Sequence, residues 1–153
     1  MRIEDHFVVK AARERVWAAI TDPSVVAPCV PGCQGVTVMS PTLYKAKVRV
    51  QLGIIKADFN VEVELTEQTP PEQMRSRTRG EEGGRASSIS AENTLRLVEL
   101  SASETDVTYS SEVSIVGRLG TFGLGVMKKK AEALGRDFAA AFKSRLEGVP
   151  AQV

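Results

Sequence analysis

Few side chains in this sequence are of the types that perform acid, base or nucleophilic chemistry together. The chain has one histidine, His6, and two cysteines, Cys29 and Cys33, which flank Val-Pro-Gly at a predicted turn. A structural zinc site needs about four Cys or His ligands, and a nucleophilic cysteine needs a nearby base. Because the sequence suggests neither arrangement, we predict reduced, partly buried thiols, no metal site and no catalytic residues.

Hydroxyl groups are better candidates, because they can hold a ligand without reacting with it. Tyr44 and Tyr109 lie in stretches that alternate between apolar and polar residues, so their hydroxyls are candidate hydrogen-bonding groups on an interior face. Several other predicted inward positions are small or polar instead of large and apolar. These are Ser76, Thr78, Ala91, Asn93 and Ser111.

The elements that position these residues follow from the hydropathy pattern. Apolar and polar residues alternate through 36–65 and in the strands that follow, which predicts half-buried antiparallel strands. A first strand at 2–10 precedes two short helices, one bearing Trp17 and the next capped by Asp22. The run 117–146 is the one long helix-forming segment, and its apolar residues fall on one face.

This order of elements predicts an α+β helix-grip fold. A seven-stranded curved antiparallel sheet would wrap around the long C-terminal helix, with two short helices after strand 1. We assign residues 1–147 to this one domain, in keeping with a length of 153 residues, and 148–153 to a C-terminal tail. The formal charge of +1 and the lack of phosphate-loop or nucleic-acid motifs predict no nucleic-acid partner. With no signal peptide or membrane-span pattern, we expect a cytoplasmic protein.

The small inward residues predict an internal cavity, because a sheet braced by hydrogen bonds collapses poorly onto missing side chains. Phe122, at the glycine-rich start of the long helix, marks the predicted mouth. The alternative interpretation is that each of these side chains simply fills the core. The predicted ligand-binding residues are Tyr44, Phe59, Val61, Met74, Ile89, Tyr109, Leu119, Phe122 and Val126.

The segment 16–33, VWAAITDPSVVAPCVPGC, resembles the G-subunit family of carbon monoxide dehydrogenase, a branch of the START and Bet v 1-like (SRPBCC) superfamily. The matching features are Val16-Trp17, Asp22-Pro23 and Pro31-Gly32-Cys33, and the later stretches Ser114–Gly120 and Phe138–Phe142 are also similar.

The resemblance implies a non-catalytic accessory protein of molybdenum carbon monoxide dehydrogenase. Its cavity would bind a hydrophobic ligand, an isoprenoid quinone such as menaquinone, and no covalently bound cofactor is implied. The partners would be the dehydrogenase complex and, transiently, the membrane surface or quinone pool on the cytoplasmic face. Two other functions stay open, namely a protein-only membrane-recruitment or maturation factor and a cavity enzyme of the cyclase or isomerase type.

Two basic groups are candidate contacts with lipid phosphate or with an acidic partner. One is Lys128–Lys130 on the long helix, and the other comprises the outward-facing Arg75, Arg77 and Arg79. The alternative is that both groups form ordinary solvated surface.

Overall fold

A computed structural model describes residues 1–148, apart from the side chain of Arg85. The predicted tail, 148–153, therefore lies outside the described residues except for Gly148. The strands are β1 (Arg2–Val9), β2 (Cys33–Ser40), β3 (Leu43–Leu52), β4 (Ile55–Thr69), β5 (Gln73–Glu82), β6 (Ser87–Ser101) and β7 (Glu104–Gly117). The α-helices are α1 (Arg13–Ile20), α2 (Pro23–Val26) and α3 (Leu124–Glu147), and 3₁₀ turns span Ala27–Cys29, Gly83–Arg85 and Arg118–Phe122.

All seven strands form one antiparallel sheet in the order β1-β7-β6-β5-β4-β3-β2. Strands β2 to β7 each pair with their neighbours in sequence, as short turns between alternating segments predict. Strand β1 instead pairs with β7, with Arg2 opposite Glu112 and Val9 opposite Thr105. The sheet, the two short helices after β1 and the long C-terminal helix confirm the predicted helix-grip architecture.

The long helix begins later than the sequence suggested. We expected helix from residue 117, but α3 starts at Leu124. Gly117 and Gly123 have φ values of +96° and +90°, a left-handed region that residues other than glycine rarely occupy. The glycines therefore end β7 and precede α3, and the segment between them is a separate 3₁₀ turn.

That turn is fastened to the sheet by a salt bridge and a backbone hydrogen bond. Arg118 pairs with Glu82, a carboxylate that is only 7% exposed. The guanidinium Nε lies 2.9 Å from Glu82 Oε2, and this hydrogen bond holds the pKa of Glu82 below its usual range. The backbone N–H of Leu119 donates to Ser87 Oγ at 3.1 Å. Leu119 is thereby directed into the interior at this end of the sheet.

Two separate apolar clusters fill different parts of the interior. The first joins α1, the end of α3 and strands β1, β6 and β7 around Val16, Val107 and Phe142. The rings of Phe138 and Phe142 stack with centroids 5.6 Å apart. The second cluster consists of Ala57, Phe59, Leu119 and Met127, with Val61, Ile89 and Ile115 packed against it.

Candidate ligand-binding site

The interior holds a partly open cavity of about 410 Å³. It is bounded by the concave face of the sheet, by the segment of α1, α2 and the following turn, and by α3. Side chains of both apolar clusters contribute to its wall. Its volume falls within the range of roughly 300–1,000 Å³ that small-molecule sites occupy. The wall is mainly apolar and includes Ile20, Val36, Ala46, Val61, Leu65 and Leu95.

The cavity exists because interior side chains of β3 and β4 do not meet a partner across the fold. Ala46 and Val48 on β3, and Val61, Val63 and Leu65 on β4, alternate with exposed charged residues, so they face the interior. None of the five is fully buried. Because the backbone ladder fixes the sheet's position, the strands do not close the space by collapsing onto α3.

The lining carries no charged side chain. Within the described chain, 1–148, no Asp, Glu, His, Lys or Arg contributes to the cavity wall. Burying an ionised group without a partner is expensive, so a carboxylate or phosphate would gain no compensating contact inside. The arrangement therefore favours a neutral, largely apolar guest.

One polar cluster interrupts the apolar wall on strands β5, β6 and β7. Asn93 Nδ2 donates to Ser76 Oγ at 3.2 Å and to Thr78 Oγ1 at 3.0 Å. Ser111 Oγ donates to Asn93 Oδ1 at 2.8 Å. Ser76, Asn93 and Ser111 stand opposite one another in the strand register and all line the cavity. We refer to Ser76, Thr78, Asn93 and Ser111 as the Asn93 cluster.

The two tyrosines differ in how they reach the cavity. Tyr109 packs edge-on against Phe7 and lines the wall beside α3. A Cβ atom added to Gly135 would lie 2.7 Å from the Tyr109 hydroxyl, so glycine at this helix position makes room for that oxygen. Tyr44 also lines the cavity, but its hydroxyl donates to the carbonyl of Pro41 at 3.1 Å. Burial raises the pKa of both phenols, so both stay neutral donors at physiological pH.

Of the predicted ligand-binding residues, the structure brings together Tyr44, Val61, Met74 and Tyr109 on the cavity wall. The other five lie elsewhere. Phe59, Ile89 and Leu119 belong to the second apolar cluster, while Phe122 and Val126 are 40% and 47% exposed. That any of the nine binds a ligand stays a prediction.

The 3₁₀ turn Arg118–Phe122 explains why five of the predicted residues lie away from the cavity wall. The turn directs Leu119 inward onto Phe59 and Met127, which fills that end of the sheet with the protein's own side chains. The predicted mouth beside Phe122 is therefore separated from the cavity lining.

Sequence reasoning missed the part of the wall that comes from outside the central strands. Val26, Val30 and Val36, from α2, the following loop and β2, line the cavity together with Phe138 of α3. The apolar residues after Asp22-Pro23 were the available signal, because a four-residue helix cannot bury them by itself. Ser76, Asn93 and Ser111 were predicted to face inward but were not assigned to the ligand.

The cysteines are free thiols, as predicted. Cys29 is buried and donates a weak hydrogen bond to the carbonyl of Val25 at 3.4 Å, and burial raises the pKa of its thiol. Such a thiol is unreactive. Cys33 is half-buried and lines the cavity. Across residues 1–148, no group of three His, Cys, Asp or Glu side chains is arranged to hold a metal.

The remaining candidate groups lie on the outer surface. His6 is exposed and its Nδ1 lies 3.0 Å from Asp106 Oδ1, a hydrogen bond that raises the pKa of the imidazole. Arg77 Nε donates to Glu92 Oε1 at 2.7 Å, and Arg75 lies 3.8 Å from a carboxylate oxygen of Glu67. These arginines of β5 are thus matched by acidic residues on neighbouring strands, as in an ordinary solvated sheet face.

A protein-family model for the G subunit of carbon monoxide dehydrogenase (CoxG) matches residues 6–147 of this chain. The chain belongs to the CoxG family. This confirms the resemblance that the sequence carried, because the match extends over nearly all of the described chain. No curated protein matches the sequence closely enough to add to this assignment.

Solved structures show the same fold at low sequence identity. A conserved protein from Geobacillus kaustophilus superposes with a TM-score of 0.90 at 22% identity, covering 97% of this chain and 96% of the other. A START superfamily protein from Mycobacterium smegmatis gives 0.78 at 15% identity, covering 97% and 98%. The Zhui aromatase/cyclase from a Streptomyces species gives 0.69 at 16% identity, covering 96% and 93%. The fold of this CoxG-family chain is therefore START-like.

CoxG-family membership and the START-like fold together favour an accessory protein that binds a hydrophobic ligand. The family name associates its members with carbon monoxide dehydrogenase. Within residues 1–148, no helix combines the length and the hydropathy that a membrane span requires.

Proposed function

We propose that this CoxG-family protein is a non-catalytic accessory protein of molybdenum carbon monoxide dehydrogenase that carries an isoprenoid quinone, such as menaquinone. It would link the enzyme to the membrane respiratory chain. The observation that supports this best is the neutral, apolar cavity of about 410 Å³. Transfer of apolar surface out of water contributes about 25 cal/mol per Å², so such a cavity can bind a quinone without a charged partner.

The shape and chemistry of a quinone suit this lining. Its planar ring is apolar, its carbonyl oxygens accept hydrogen bonds, and its tail is a hydrocarbon. The wall supplies apolar surface from Val61, Leu65 and Leu95, and hydroxyl donors from Ser76 and Tyr109. Because the cavity is partly open, a tail longer than the cavity can extend out of it.

Native mass spectrometry with lipid extraction tests this proposal. We expect protein purified gently from a quinone-producing host to carry isoprenoid quinone as a non-covalent complex, and organic extraction of the same sample to release the quinone for identification. An empty protein that still binds the dehydrogenase would overturn the carrier role and favour a recruitment or maturation factor. Turnover of a small hydrophobic substrate, lost on substitution of Tyr109, would instead indicate a cavity enzyme.

The membrane side of the proposal rests on the start of α3. Leu124 is 71% exposed, and Phe122 and Val126 lie beside it with substantial apolar exposure. Lys128 and Lys129 follow within about one turn and are exposed. Apolar side chains next to lysines suit the interface of an anionic membrane, where each basic residue contributes about 1 kcal/mol.

We expect the protein to sediment with phosphatidylglycerol vesicles and to sediment less with phosphatidylcholine vesicles. Leu124→Glu should weaken binding to the anionic vesicles about tenfold, because it removes an inserted apolar side chain and adds a repelled charge. Leu100→Glu is the matched control, since Leu100 is 53% exposed at the end of β6. Equal effects of the two substitutions, or none from Leu124→Glu, would contradict membrane contact through α3.

A further inference from the structure

We infer that the Asn93 cluster is the head-group site of the cavity and that it takes a neutral hydrogen-bond acceptor, a ketone or quinone carbonyl oxygen. This inference rests on the proposed function, since it concerns the same cavity. Beyond the proposed function, we assign the residues that recognise the guest, the functional group that they recognise and the guests that they exclude.

The argument begins with the amide of Asn93. Its oxygen accepts from Ser111 Oγ at 2.8 Å, and its nitrogen lies 3.4 Å from the backbone carbonyl oxygen of Ser76, which can only accept. The carbonyl contact sets the orientation of the amide, with Nδ2 towards β5, and the Ser111 hydroxyl then donates to the amide oxygen. Both Ser76 Oγ and Thr78 Oγ1 then accept a hydrogen bond from Nδ2.

The hydroxyl protons of Ser76 and Thr78 follow from that arrangement. Each hydroxyl has one proton to donate, and each already accepts from Asn93, so its own proton must point away from the amide. Within residues 1–148, neither proton has an acceptor on the protein. Ser76 lines the cavity, so its O–H is a donor directed at whatever occupies the space.

The tyrosine hydroxyls are less suited to this role. The Tyr44 hydroxyl already donates its proton in a hydrogen bond to the carbonyl oxygen of Pro41, at 3.1 Å. Tyr109 lies two residues before Ser111 on β7 and opposite Leu95 in the register. It therefore contributes to a different part of the cavity wall from the Asn93 cluster. The Asn93 cluster is therefore the place on the cavity wall where polar side chains are held in a connected network.

The same network discriminates between classes of guest. A carbonyl oxygen accepts a hydrogen bond from the Ser76 hydroxyl, whereas a hydrocarbon of the same shape leaves that donor unpaired. An anionic head group would need a cation, and the cavity wall offers none among the described residues. The cluster thus selects a neutral acceptor over both a hydrocarbon and a fatty-acid carboxylate.

Calorimetric titration with two guests of matched shape tests this assignment. Dimethylnaphthoquinone with both methyl groups on the quinone ring leaves no position for addition of a Cys33 thiol, and the corresponding dimethylnaphthalene lacks only the carbonyls. We expect the quinone to bind the wild-type protein about tenfold more tightly than the hydrocarbon. Ser76→Ala should remove most of that preference while leaving hydrocarbon binding unchanged.

Ser90→Ala is the matched control, because Ser90 is exposed on the outer face of β6. Asn93→Leu provides a second variant, since it removes the amide that orders the hydroxyls while keeping a side chain of similar size. Equal affinity of the wild-type protein for both guests, or an unchanged preference in both variants, would overturn the head-group site but leave the apolar carrier intact. Failure of the wild-type protein to bind either guest would overturn the proposed function as well.

Discussion

Ala46→Phe is expected to abolish ligand uptake while raising the stability of the protein. Ala46 lies on the interior face of β3, opposite Val36 and Val61, and all three line the cavity. A phenyl ring at this position would occupy the space that the guest needs. Burying it stabilises the fold by about 1.5–3 kcal/mol at most. Since each kcal/mol shifts Tm by about 2–4 °C in a chain of this size, Tm should rise by about 3–12 °C at most.

The affinity for dimethylnaphthoquinone should fall at least about tenfold, since the ring and the guest compete for the same volume. Lys47→Phe is the control, because it adds the same ring to the same strand on the exposed face. It should change neither uptake nor Tm by a comparable amount. If Ala46→Phe keeps the wild-type affinity and a native circular dichroism spectrum, the guest binds outside this cavity.

Gly117→Ala is expected to be strongly destabilising, because the backbone geometry at this position excludes a side chain. Gly117 combines φ of +96° with ψ of −158°, a region that is essentially restricted to glycine. An added Cβ atom would lie 2.1 Å from the carbonyl oxygen of Ala86 and 2.7 Å from Ser87 Cα, so rigid backbone would have to move. Strain and overlap together predict a loss of about 2–6 kcal/mol in the free energy of unfolding.

Gly123→Ala separates the cost of backbone strain from the cost of steric overlap. Gly123 has φ of +90° and ψ of 155°, but an added Cβ atom would meet nothing within 4 Å. It should therefore cost only the backbone strain, about 1–3 kcal/mol. Urea denaturation of both variants gives the comparison, and equal losses would show that the contact with Ala86 is unimportant.

The architecture was predictable because it depends on patterns that persist over many residues. Strands β3 and β4 are ten and fifteen residues long and the alternation covers most of each, while the order of strands and helices allows few topologies. The start of α3 was not predictable to the same degree. The sequence shows glycines at 117 and 123, but only the structure shows that both take positive φ and exclude the segment between them from the helix.

The existence of a cavity was predicted from the sequence. Its position along the length of the strands was not. Alternation tells which face of a strand points inward, but it carries no information about what lies opposite. Phe59 and Val61 are successive inward residues of β4. Phe59 packs against Leu119, whereas Val61 lines the cavity. The difference comes from a 3₁₀ turn far away in sequence, so local patterns could not assign these two residues to different roles.

The pairing of β1 with β7 has a consequence for how the chain folds. The amino group of Met1 donates to the carbonyl of Val113 across a separation of 112 positions. Strands β2 to β7 join neighbours along the chain and can pair hairpin by hairpin, whereas β1 can pair only after β7, far along the sequence, is available. We therefore expect closure of the β1–β7 pair to be an entropically costly step of folding, and until it forms, β7 presents an unpaired edge to other chains.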